Sequence, residues 1–160
     1  MHFIIDISET IASGLILTLV LFYLNEFVFP RRNLTGEWDA EICIVETSYT
    51  KYKNLRIEYK IHLIQKGYEI SGSGEKIKDI KPDGTQIIFE REKRVNIYID
   101  GYYERKYFQK SKVYLNILED GRKRKTRATY CLKLERNNCI VGTFQSTAAN
   151  TSGKAKMIKT

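Results

Sequence analysis

The chain opens on an apolar run, residues 11–29, with no Lys or Arg anywhere before Pro30, and Arg31 and Arg32 follow immediately. A membrane span needs roughly 20 mostly apolar residues at 1.5 Å rise each. This spacing predicts an N-terminal transmembrane anchor over residues 1–32 and a separate body over residues 33–160. A cleaved signal peptide would carry a basic start and a small-residue cleavage site. Here the start contains Asp6, and Tyr23, Leu24, Asn25 and Glu26 close the run without such a site. The positive-inside rule puts Arg31, Arg32 and the basic body in the cytoplasm, with the amino terminus outside. Thr10, Gly14 and Thr18 recur every fourth residue, a stripe through which membrane helices approach closely; self-association of the anchor is the corresponding expectation.

All 27 Lys and Arg lie after the apolar run, whereas three of the 19 acids (Asp6, Glu9 and Glu26) precede Pro30, which leaves the body at about +11. Such an excess suits an anionic membrane surface, nucleic acid or a phosphorylated small ligand. Cys43, Cys131 and Cys139 are an odd set without paired spacing, as expected of free thiols in a reducing compartment. His2 and His62 stand far apart, and neither CxxC nor HExxH occurs, so no metal is expected. The acceptor sequences at Asn33 and Asn150 would matter only on an outward-facing domain.

From Leu34 onward apolar residues alternate at period two. Leu34, Gly36, Trp38, Ala40, Ile42 and Ile44 share one face, as do Leu55, Ile57, Tyr59, Ile61 and Leu63. Such alternation marks half-buried antiparallel strands. Turn signals at Gly67, Pro82–Asp83–Gly84, Asp100–Gly101, Asp120–Gly121 and Asn137–Asn138 divide the body into strands. Those strands fall near 35–46, 54–65, 68–77, 86–91, 95–100, 102–109, 112–119, 125–135 and 139–147. Eight or nine strands joined in series predict an all-β, antiparallel up-and-down barrel of about eight strands, lipocalin-like, which leaves no exposed sheet edge. The same strands could instead pack as a two-sheet sandwich. Gly72 and Gly74 suggest a sharp bend in one strand. A barrel of this size is either filled by side chains or holds one small ligand.

The sequence offers no P-loop, no Ser/His/Asp set and no acid–base pair among residues such as Glu90 and Glu92, so no enzyme activity and no cofactor are expected. Binding is the better expectation. Tyr103, Arg105 and Tyr107 fall on one face of their strand, and a guanidinium between aromatic rings can hold a phosphate while a base stacks beside it. Tyr59 and Tyr130 sit on apolar faces where their hydroxyls need partners. Thr126 shares a face with Tyr130, just after the basic run Arg122, Lys123, Arg124 and Lys125. The candidate ligand-binding residues are therefore Tyr59, Tyr103, Arg105, Tyr107, Thr126 and Tyr130. The tyrosines could equally be packing residues, with Arg105 extended into solvent and the basic run a solvated hairpin tip.

An N-terminal membrane segment followed by Leu34-Thr35-Gly36-Glu37-Trp38 at the start of a small barrel resembles the membrane-anchored β-barrel effectors of bacterial cyclic-oligonucleotide anti-phage defence (CBASS). The resemblance covers essentially the whole chain, although that family typically carries two membrane helices and one is found here. It implies a cytoplasmic barrel that binds a cyclic dinucleotide made on infection. It further implies inner-membrane localisation, contact with membrane lipids, homo-oligomerisation on activation and membrane disruption, with no role for DNA or RNA. Gly-x-Trp on a first strand also opens lipocalin-like domains, so a tethered carrier of lipid or another hydrophobic ligand is the alternative. A filled barrel serving as a structural interaction domain is a third.

Overall fold

In the computed structural model, residues 2–28, 32–90, 93–107, 109–121, 124–136 and 138–160 are described, without the side chains of 2–10 and of 25–26. Phe29, Pro30, Arg31, Glu92, Phe108, Arg122, Lys123 and Asn137 therefore lie outside the described residues, as do the side chains of Asp6, Glu9, Thr10 and Glu26. The chain forms two units, Met1–Asn33 and Leu34–Thr160.

The first unit is the helix α1 (His2–Tyr23), which continues as one π-helical turn, Leu24–Val28. Among the described residues no helix is long and apolar enough to cross a membrane, so the structure does not support the anchor expected over residues 1–32. In sequence the apolar stretch 11–24 is broken by Asn25 and Glu26 before Phe27, Val28 and Phe29. The apolar side chains along it are nevertheless exposed, among them Ile11, Ile16, Leu19 and Phe22. Within the small-residue stripe, the Thr18 hydroxyl donates to the Gly14 carbonyl of its own helix at 2.8 Å.

In the second unit the strands are β1 (Gly36–Glu46), β2 (Arg56–Lys66), β3 (Glu69–Ile80), β4 (Gln86–Ile88), β5 (Asn96–Glu104), β6 (Lys112–Asp120), β7 (Lys125–Leu134), β8 (Cys139–Ser146) and β9 (Thr151–Lys159). Eight of them close into an antiparallel barrel. Each barrel strand pairs with its neighbours in the meander β1-β2-β3-β5-β6-β7-β8-β9, and β9 returns to pair with β1. The up-and-down barrel expected from the periodicity is thus observed, and the sandwich is not.

Three strand assignments need correction. Asp100–Gly101 is not a turn: Gly101 lies within β5, opposite Leu115 of β6, where a Cβ would run into the Tyr114 carbonyl oxygen. Glycine serves there as a close-approach residue, not as a turn former. The closing strand β9, by contrast, has no counterpart among the strands expected from the periodicity. Its inward positions are Thr151, Gly153, Ala155 and Met157, mostly too small to register as an apolar face. Of the strand expected over 86–91, Gln86–Ile88 form β4, which among the described residues pairs only with the far end of β3, and Arg91 lies outside the described residues.

Inward residues fill one end of the barrel. Leu34 caps it, and Trp38 packs beneath and donates its indole N–H to the Leu34 carbonyl at 2.9 Å. The Gln65 side chain accepts the Leu34 amide at 2.8 Å. Leu63, Val113, Leu115, Leu132, Ile140 and Met157 are fully buried.

At the other end β3 changes partners. Residues 69–75 pair with β5, whereas residues 78–80 pair with β4. Between them the β2 register skips one residue: Glu58 faces Lys78 and Tyr59 faces Lys76, which leaves Ile77 as a bulge. A bulge resets the alternation of side chains, so Lys76 and Asp79, three apart, both point inward.

Truncation of Leu115 to Ala in this filled end should cost about 2–5 kcal/mol, read from the denaturant midpoint. The same change at exposed Ile64 should cost less than about 0.5 kcal/mol. Equal losses at both positions would mean that the barrel end is not packed as described.

Candidate functional site

The end opposite Leu34 is hollow. A cavity of about 270 Å³ lies inside the barrel mouth, with Ile42, Ile44 and Tyr59 on one side and Ile117, Tyr130 and Phe144 on the other. Tyr130 and Phe144 face each other across β7 and β8 and stack, with ring centroids 5.5 Å apart. A larger depression, about 510 Å³, lies on the barrel exterior and is lined by exposed residues such as Glu37, Asp39, Lys60 and His62. The interior cavity is the better candidate because buried charge converges on it.

That charge comes from two strands, β3 and β6. Lys76 is buried at 8 % exposure, which is unusual for a lysine without a partner. Its ammonium stands 3.0 Å from Asp79 Oδ1 and 3.8 Å from Glu119 Oε1. It also lies 4.8 Å from the centre of the Phe89 ring, a cation–π contact. Glu119 Oε2 accepts the Tyr59 hydroxyl at 2.9 Å. Apart from that ion-pair contact, Asp79 Oδ1 is buried without a hydrogen-bond partner among the described residues. Thr126 lines the mouth opposite Glu119, and the exposed Arg124 completes the rim.

Burial sets the protonation behaviour. Desolvation, reinforced by the nearby Glu119 carboxylate, holds the Tyr59 phenol well above its ordinary value. Desolvation and Glu119 also raise Tyr130. Asp79 is raised as well, chiefly by burial, with the Lys76 charge opposing. The mouth is therefore a low-dielectric site whose ionisable groups depend on one another.

Of the six residues expected from sequence, Tyr59, Thr126 and Tyr130 line this cavity together. Tyr103 is buried in the core, at the level of Val113 near the filled end. Beyond it β5 ends at Glu104, so the alternation that would align Arg105 and Tyr107 with Tyr103 stops. Arg105 instead lies over the Tyr107 ring at 5.1 Å in the connection to β6, away from the cavity. Lys76, Asp79 and Glu119 were missed. Two were legible: Lys76 continues the parity of Ile70, Gly72 and Gly74, and Glu119 that of Val113, Leu115 and Ile117. Asp79 was not, because only the bulge turns it inward.

Compared with known proteins, the chain matches no family model, no curated protein and no solved structure. Among the described residues no group of three or more His, Cys, Asp or Glu is placed to hold a metal ion. The mouth offers aromatic walls, a buried ammonium and two carboxylates, groups that can hold a ligand.

The raised tyrosines give a signed pH dependence. Below the free phenol value near 10, folded and unfolded chains both keep these protons. Above it the unfolded chain ionises first, so stability is lost as pH rises. Tyr130→Phe should flatten the alkaline fall in the unfolding midpoint, and an unchanged slope would contradict the burial. For Asp79 the raised value stabilises the fold below the ordinary carboxylate range near 4, and that contribution is lost as pH rises through the folded value. Asp79→Asn should remove this portion of the acid-side dependence.

Proposed function

We propose that the barrel is a ligand-sensing domain whose open end receives a cyclic dinucleotide, and that the apolar helix is its membrane-directed output. The observation that carries this reading is the hollow, charged mouth of an otherwise filled barrel. A purely structural barrel gains nothing from burying Lys76, Asp79 and Glu119 beside empty space, since buried charge is costly unless it is used or fully paired. The architectural resemblance to CBASS effectors supports a cyclic dinucleotide as occupant, and Arg124 at the rim supplies positive charge for phosphate. The exposed apolar helix, followed in sequence by Arg31 and Arg32, supports an output at the inner membrane through lipid contact and assembly of copies. In this reading the protein is a binding effector and not an enzyme. Its ligand acts by favouring an assembled state over the free one, because equal affinity for both would shift nothing.

The apolar walls Ile42, Ile44, Ile57 and Ile117 favour a second reading, a lipocalin-like site for a small hydrophobic ligand. In that case native mass spectrometry of the purified chain should show a copurified lipid.

Calorimetric titration of the full chain with a panel of cyclic dinucleotides should give saturable binding of one molecule per barrel for at least one of them. Absence of heat and of thermal shift with every member would overturn the first reading.

A further inference from the structure

The cavity is small for a whole cyclic dinucleotide, since pockets that enclose drug-sized ligands run from about 300 to 1,000 Å³ and this one holds about 270 Å³. A single planar ring system suits it better. The stacked Tyr130–Phe144 pair and the branched side chains of Ile42 and Ile117 provide flat and apolar walls for such a group. The polar side of the mouth has a definite sense. Asp79 Oδ1 is buried with the Lys76 ammonium as its ion-pair partner at 3.0 Å and no further donor, and Glu119 spends one oxygen on the Tyr59 hydroxyl while the other lies 3.8 Å from Lys76. A buried acceptor left unsatisfied costs about 1–3 kcal/mol, and it is satisfied only by an N–H or O–H donor. Phosphate, being anionic, would face the Asp79 and Glu119 carboxylates, and the one ammonium among them, Lys76, is already shared between the two.

We infer that the mouth takes a planar ring edge-first, with an amino- and imino-bearing edge donating to Asp79 and Glu119 while any phosphate stays outside at the Arg124 rim. This rests on the ligand-sensing reading and gives it a specificity. Guanine offers two adjacent donors, N1–H and the N2 amino group, which match two acceptors. Adenine offers its N6 amino group beside an acceptor. Uracil offers one N–H between two carbonyls that would face the carboxylates. A site built to accept from donors rejects analogues that lack them, because its polar groups are then left unpaired. Asp79 and Glu119 are thus specificity-determining residues, and Lys76 is a positioning residue that holds the two carboxylates together.

Calorimetry on the full chain with cyclic di-GMP, cyclic di-AMP and cyclic di-UMP tests this, using wild type, Asp79→Asn, Glu119→Gln and Arg124→Ala, each checked for an intact melting transition. Affinity should fall in the order guanine, adenine, uracil. Asp79→Asn and Glu119→Gln should each weaken cyclic di-GMP by about tenfold or more and leave cyclic di-UMP nearly unchanged. Arg124→Ala should weaken all three alike. Tight cyclic di-UMP binding, or less than about a twofold effect of both acid substitutions on cyclic di-GMP, overturns the inference while the sensing reading stands. If no cyclic dinucleotide binds, that reading fails. Guanosine and benzamidine then decide the donor-edge site separately: saturable binding that Asp79→Asn weakens supports it, and no binding of either overturns it.

Discussion

The pairing of β1 with β9 is the interaction on which the rest of the barrel depends. It runs from Trp38 opposite Lys159 to Glu46 opposite Ser152, and it turns a meander with two open edges into a closed surface. Closure defines an inside. Once the sheet closes, every second residue along each strand is removed from water, and the ends of the barrel become the two places where the interior can differ. One end is filled by Leu34, Trp38 and the large aliphatic residues around them. The other is left hollow, and β3 parts there from β5 to follow β4.

That parting makes the chemistry possible. A regular β3 would alternate to its end and carry Asp79 outward. The bulge at Ile77 adds one residue opposite Tyr59 and Glu58, so Lys76 and Asp79 both enter the mouth and meet Glu119 from β6. Burial then raises Asp79, Tyr59 and Tyr130 together. A local irregularity in one strand thus sets both the geometry and the electrostatics of the cavity.

Most of the fold was legible because period-two alternation is a direct record of which side chains face inward. Trp38, Ala40, Ile42 and Ile44, and likewise Tyr59, Ile61 and Leu63, are buried as their parity requires. The failures have physical causes. Gly101 reads as a turn because glycine serves turns and close strand contacts equally well. The closing strand β9 hides because a tight barrel wants glycine and alanine at inward positions, and these leave no apolar signature. The apolar run at the start reads as a span, and the described residues contain no helix long and apolar enough to be one. Half of the candidate site was found from tyrosines on apolar faces. The charged half does not stand out in sequence because lysine and glutamate on a strand normally face water, and Arg105 falls outside because the aromatic–Arg alternation stops where its strand ends at Glu104.

The central claim is that the open mouth of the barrel, and no outer surface, receives the ligand. Methyl-labelled isoleucine NMR of the full chain during addition of cyclic di-GMP tests it most directly. Ile42, Ile44, Ile57 and Ile117 line the mouth, whereas Ile64 and Ile158 are exposed on the barrel exterior. The account requires saturable shifts at the first four and little change at the last two. Shifts confined to the exterior methyls would contradict it.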